Sequence, residues 1–155
     1  MKFVIYIISF FIICECDNID IDAFNRLIVQ EHNKIRYLHD VPSLQLDQKL
    51  INSSTNYARS LADNPNSFYL VPSGLFDGTE KIGENLFQCN ILNCFPKNTT
   101  QSFQIWYDES KNYDFQKEEK QKGTSNFTQI VWKDTKKMGC GVGERKGGIG
   151  YKVVC

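Results

Sequence analysis

The sequence is poor in histidine and proline and has no net charge. Its 155 residues include two histidines, His32 and His39, and four prolines. Lysine plus arginine and aspartate plus glutamate both number 18. A chain without a basic excess has no charge field to hold nucleic acid or an anionic membrane surface. The six cysteines show no Cys-x-x-Cys hook, which argues against a structural zinc site. There are no internal repeats and no low-complexity tracts. The longest uncharged apolar run, Phe3 to Ile13, is too short to span a bilayer.

That run has a different meaning. Lys2 precedes it, and Cys14 and Cys16 are small residues at the third and first places before a cut ahead of Asp17. The pattern predicts a secretory signal over residues 1–16 and a single domain over 17–155. Removing Lys2 and Glu15 takes one charge of each sign and leaves 17 of each. Four cysteines remain: Cys89, Cys94, Cys140 and Cys155. An even count in a secreted chain points to disulfides. Cys89 and Cys94 are close enough in sequence to bridge locally. Gly147-Gly148 offers a two-residue hairpin turn, across which Cys140 would face Cys155. A small register shift is expected there, because a hydrogen-bonded strand pair keeps its backbones too far apart for ideal disulfide geometry. Three glycosylation sequons begin at Asn52, Asn98 and Asn126.

Phe24, Leu27, Ile28, Ile35 and Leu38 trace a helical stripe that Val41-Pro42 ends. His32 and His39 read as surface or capping residues of that helix. Asp47 suits an N-cap for a second helix carrying Leu50, Ser54, Tyr57, Ala58, Leu61 and Ala62. Residues 68–79 read as a loop. Asn98, Thr99 or Thr100 caps a third helix bearing Phe103, Trp106 and Tyr107. Residues 117–122 form a charged, solvated loop. Phe127, Ile130 and Val131 suit a short helix, although Val131-Trp132 also suits a strand start.

Four phrases recur in order along the chain. They are His32-Asn33-x-x-Arg36 with Val41-Pro42-x-Leu44, then Gly83-Glu84-Asn85-Leu86, then Trp106-Tyr107-Asp108-Glu109, then Asn126-Phe127-Thr128-Gln129-Ile130-Val131-Trp132 before Gly139-Cys140. Together they resemble the CAP, or SCP, domain of cysteine-rich secretory proteins, antigen-five venom allergens and plant pathogenesis-related proteins. The resemblance implies an α+β fold, an α-β-α three-layer sandwich with a small antiparallel sheet. In metal-binding members of that family the cleft holds two histidines and two glutamates. The glutamates fall on Glu84 and Glu109, and one histidine position is held by Asn126. The other belongs in the loop of residues 68–79, which has no histidine.

Two carboxylates and an amide form a hard oxygen set, whereas zinc is held by imidazole or thiolate at about 2.0–2.3 Å. The sequence therefore predicts no metal and no cofactor. General-base chemistry at neutral pH needs a suitably tuned histidine or glutamate, and Ser73, Ser125 and Thr128 have no basic partner in the cleft phrases. The expectation is a non-enzymatic secreted protein that binds an extracellular lipid, sterol or protein. Host interaction or immune modulation follows if the source is parasitic or venomous. The rival reading is a metal-dependent or glutamate-based hydrolase. Nucleic acid and a membrane anchor are excluded as partners. Trp106, Trp132 and the nearby tyrosines read first as core and second as walls of an apolar groove. Asn126 is expected to be buried, donating to both Glu84 and Glu109, while Asn52 and Asn98 carry glycans.

Overall fold

The computed structural model describes residues 19–64, 69–77, 79–89, 100–117, 119–145 and 150–155. Helix α1 spans Ile21–Leu38 and starts at Asp20, whose carboxylate accepts from the Ala23 N–H at 2.9 Å. Helix α2 spans Gln48–Asp63, and Asp47 caps it by accepting from the N–H groups of Lys49 and Leu50. Helices α3 (Thr100–Asp108) and α4 (Ser125–Ile130) follow, with a 3-10 turn over Glu109–Asn112 between them. Val131 is the C-cap of α4, so the signature stretch is helical up to that point.

Strands β4 (Leu86–Cys89), β6 (Gly141–Glu144) and β7 (Tyr151–Val154) form the main antiparallel sheet, with β7 central. Four short strands form two separate two-stranded sheets. β1 (Gln45–Leu46) lies parallel to β5 (Lys137–Met138), and β2 (Phe76–Asp77) pairs with β3 (Glu80–Lys81). The loop expected over residues 68–79 therefore contains a strand of a small hairpin.

All four residues of β7 are buried because both sheet faces are covered. Phe24 and Ile28 of α1, Phe103 and Trp106 of α3, and Val142, Tyr151 and Val153 of the sheet share one core. On the opposite face, Ala58 and Leu61 of α2 pack against Val154. The result is the α-β-α sandwich.

α2 sits on β6 with almost nothing between the two backbones. A Cβ placed on Gly141 would stand 2.1 Å from the Thr55 backbone nitrogen, and one on Gly143 would stand 2.2 Å from the Ala58 carbonyl oxygen. The glycine alternation brings one face of the strand directly onto the helix, a fold signal that the Gly139-Cys140 phrase did not convey.

The α1 stripe differs from the expected one. Leu27 and Leu38 are exposed, and the inward face is Phe24, Asn25, Ile28, His32 and Arg36. Three polar side chains point inward because the backbone around them needs partners. Asn25 donates to the Cys140 carbonyl and accepts the Cys140 N–H, each at 2.8 Å. Arg36 is fully buried and donates to the carbonyls of Pro42, Ile130, Trp132 and Thr135.

His32 is 4% exposed, so the surface role read for it is corrected. Its Nδ1 meets the Ile28 carbonyl at 2.8 Å, and its ring packs 4.8 Å from Phe103. His39 does take the C-cap position of α1, half-buried among Tyr107, Phe115 and Phe127.

Two predictions follow from this packing. Gly141→Ala drives a Cβ into helix backbone that has no flexible tip to yield. It should destabilise by about 3 kcal/mol and lower the melting temperature by roughly 10 °C. Gly83→Ala meets only the flexible end of the Gln129 side chain and should cost far less. Equal losses in thermal unfolding would refute the close-approach account.

Burial pushes the His32 pKa down from 6.5 to about 4. Between those values the unfolded chain binds the proton and the folded chain does not, so stability falls as pH drops from 6.5 towards 4. The full contribution is about 3 kcal/mol, present above 6.5. Urea unfolding at pH 7 and pH 4.5 should show that loss in the native chain and a smaller one in His32→Gln. An unchanged pH slope in the variant would rule the group out.

Candidate functional site

The site is built on a chain of backbone clamps. Asn25 holds Cys140 from α1. Cys140 is bonded to Cys155, with their Cα atoms 4.1 Å apart. The register Gly141↔Val154 continues to this pair without the expected shift. The two cysteines sit just past the ladder, where the strands approach closely. Cys155 then exchanges both backbone hydrogen bonds with Asn85, at 2.8 and 2.9 Å. Asn85 in turn donates from Nδ2 to the Asn126 carbonyl at 3.1 Å. The Gly83-Glu84-Asn85 turn is thus fixed between the last strand and α4. On the other side of β4, Trp106 Nε1 donates to the Leu86 carbonyl at 3.0 Å. Cys89 is itself disulfide-bonded. Cys94, Asn98 and Gly147-Gly148 lie outside the described residues, so the Cys89–Cys94 pairing, the Asn98 glycan and the hairpin turn remain proposals.

The two carboxylates matched to the family cleft are placed on separate partners. Glu84 accepts the Ser73 N–H at 2.7 Å on Oε2 and the Ser73 hydroxyl on Oε1. Glu109 accepts the Asn126 N–H at 2.7 Å and the Phe127 N–H at 3.1 Å on Oε2. Its Oε1 takes Asn126 Nδ2 at 2.7 Å. Asn126 therefore serves Glu109 alone. The expectation that it bridges both carboxylates is corrected, because Ser73 already fills Glu84. No period or spacing pointed to Ser73; the loop that lacks a histidine was the only signal.

This arrangement has a local cause. Thr124, at the N-cap of α4, makes no side-chain cap bond. The Glu109 carboxylate, delivered by the 3-10 turn, supplies the cap from outside the helix. Glu84 caps the turn at Ser73 in the same way. Both carboxylates are held by neutral donors, with no imidazole beside them. A metal would have to displace these bonds, and among the described residues no group of three or more metal-ligating side chains comes together. The residues present do not fit the two-histidine, two-glutamate centre.

What is open is a groove of about 860 Å³. Its walls come from α2 (Leu50, Ser53, Tyr57), the turn Ile82 to Asn85, and the segment after α4 with Trp132 and Met138. Glu84 lies on this wall; Glu109 and Asn126 do not. Trp132 is 57% exposed at the groove, whereas Trp106 is core at 1%. The two tryptophans thus divide the core and groove readings between them.

Asn126 is half-buried and its Nδ2, the atom a glycan would need, is engaged with Glu109. Asn52 is exposed on α2, and its Oδ1 accepts from Gln48 Nε2 at 3.0 Å. Glycopeptide mass spectrometry on protein secreted from a eukaryotic host should find sugar at Asn52 and none at Asn126. Occupancy at Asn126 would mean that the Glu109 clamp opens during maturation.

Comparisons with known proteins agree on one family. The sequence profile of CAP, the cysteine-rich secretory protein family, matches residues 29–155. The chain is 32% identical over 130 residues to the Golgi-associated plant pathogenesis-related protein 1 of Homo sapiens, covering 84% of this chain and 79% of that one. It is 35% identical over 133 residues to Protein PRY2 of Saccharomyces cerevisiae, where the match spans 85% of this chain but only 36% of the yeast protein. Among solved structures, venom allergen-like protein 4 of Schistosoma mansoni superposes with a TM-score of 0.60 at 23% identity, over 84% of this chain and 85% of that one. NaASP2 solved with Zn2+ superposes with a TM-score of 0.64 at 20% identity, over 91% and 82% of the two chains. The four phrases, the sandwich and these matches lead to one conclusion: the chain belongs to the CAP family of cysteine-rich secretory proteins.

Proposed function

We propose that this chain is a secreted CAP-domain protein that acts by binding, without catalysis, and that the groove beside Glu84 holds a lipid or sterol. The observation that carries the reading is the apolar groove beside Glu84, with both cleft carboxylates engaged by the protein's own donors. Glu84 and Glu109 each bind neutral donors on both oxygens and act as struts of the cleft wall. Two neutral donors hold Glu84 and three hold Glu109, which ties each carboxylate into the wall rather than orienting it as a base. The groove beside Glu84 offers Leu50, Leu75, Ile82, Ile130, Met138 and Trp132 to an apolar body.

Secretion is supported by relatives such as the one named Secreted protein PRY1 in Candida albicans and by the signal read over residues 1–16. No helix among the described residues is long and apolar enough to cross a membrane. An extracellular protein partner, including a host protein, is the second reading. It is favoured by the exposed apolar side chains Leu27, Tyr37 and Leu38 along α1.

The test pairs a blocking variant with a metal titration. Ser53→Trp fills the groove from α2 and replaces none of the residues that hold the two carboxylates. A fluorescent fatty-acyl probe should bind the native chain and be lost, by about tenfold or more in affinity, in the variant. Calorimetry with zinc at neutral pH should give no submicromolar one-to-one isotherm. Probe binding that ignores Ser53→Trp, or tight zinc uptake, would overturn the reading.

A further inference from the structure

The inward face of α1 is filled by its clamps and its core contacts, and its outward face carries a different pattern. Arg26, Leu27, Gln30, Lys34, Tyr37 and Leu38 are exposed along it. They recur every three or four residues, which sets them on one stripe of the helix. Leu27 is 50% exposed and Leu38 68%. A shallow hollow runs down the stripe, lined by Gln30, Asn33, Lys34, Tyr37 and Leu38. All of these lie on α1. Among the described residues no other element overhangs the hollow, so a second helix has room to approach it.

One edge of that stripe is self-complementary. Leu27, Glu31, Lys34 and Leu38 follow one another at spacings of four, three and four residues. Read backwards, the spacing is the same and acid and base exchange places. The midpoint falls between His32 and Asn33. Two copies packed antiparallel about a two-fold axis through that midpoint set Leu27 against the partner's Leu38 and Glu31 against the partner's Lys34, and each contact occurs twice. Glu31 and Lys34 already form an ion pair within the helix. In the helix pair the charges close into a ring of alternating sign, with leucines at both ends. Parallel packing would instead set acid on acid and base on base, which is repulsive.

We infer that the outer face of α1 is a self-association surface, occupied by a second copy of this chain packed antiparallel on the stripe from Leu27 to Leu38. The exposed apolar side chains of this face favour a protein partner, and its charge pattern complements itself. The stripe is about 17 Å long, so the contact is small and the pairing weak, with Kd on the order of 10–100 µM. None of Leu27, Glu31, Lys34 and Leu38 lines the groove beside Glu84. Pairing therefore leaves that groove open, and the inference stands independently of what the groove holds.

The test is sedimentation equilibrium on the secreted, disulfide-bonded chain. It should be monomeric at about 1 µM and mainly dimeric at about 300 µM. Glu31→Lys sets cation against cation, and Lys34→Glu sets acid against acid. Each should weaken self-association by about tenfold or more. An equimolar mixture of the two variants should associate again, because opposite charges then face each other at both positions. A native chain that stays monomeric at about 300 µM would overturn the inference and leave the face to a different protein. So would single variants that pair as the native chain does, which would place the dimer on another surface.

A mixture of folded variants that remains monomeric would also refute the antiparallel register. Should either charge variant fail to fold, Leu38→Ser decides, since it alters only an exposed position. It should weaken the native dimer by about tenfold, and a dimer of unchanged strength would overturn the proposal.

Discussion

A buried cation without an ion pair among the described residues holds this molecule together. Arg36 is fully excluded from water, and its guanidinium faces four backbone carbonyls. Burying an unpaired charge is prohibitive unless every donor finds a strong acceptor. Here four of the five N–H donors reach carbonyls, those of Pro42, of Ile130 at the end of α4, and of Trp132 and Thr135 beyond it. The same bonds satisfy carbonyls that a short helix leaves orphaned at its C-terminus. Moving any of these segments would strand either the cation or the carbonyls. The path of the chain from Ile130 to Thr135, which forms one wall of the groove, is therefore set by α1 on the far side of the core.

Asn25, the Cys140–Cys155 bridge and Asn85 extend that logic to the cleft. Each link fixes backbone to backbone, and the last one delivers Glu84 and the Asn85 amide to fixed positions. Against this scaffold the two missing histidines have a clear structural meaning. Asn126 and Ser73 are short neutral donors, and each closes onto one carboxylate. The cleft carboxylates become helix and turn caps. What remains accessible beside Glu84 is a groove with an apolar lining, which supports the proposed binding role.

Much of the fold was legible in the chain. Asp20 and Asp47 were typical N-cap residues in typical positions, and the Pro42 boundary was clear. The facing of Cys140 and Cys155 followed from counting across a hairpin. The four phrases identified the family in order. The misreadings on α1 share one cause. His32 is polar, and a search for apolar periodicity assigns such a residue to the surface, whereas Leu27 and Leu38 look buried and are not. Periodicity weighs side-chain polarity and cannot see which distant carbonyls await a donor.

The sequence by itself determined the elements, the family, the lack of cleft histidines and the absence of a charged field, because each depends on residue type or on neighbours a few positions away. Only the tertiary structure decided that Ser73 takes Glu84 while Asn126 takes Glu109. It alone decided that Trp132 opens to solvent and that α2 rests directly on the glycines of β6. Those outcomes are set by contacts between segments tens of residues apart, where steric room and the supply of hydrogen-bond partners exist only once the layers have closed.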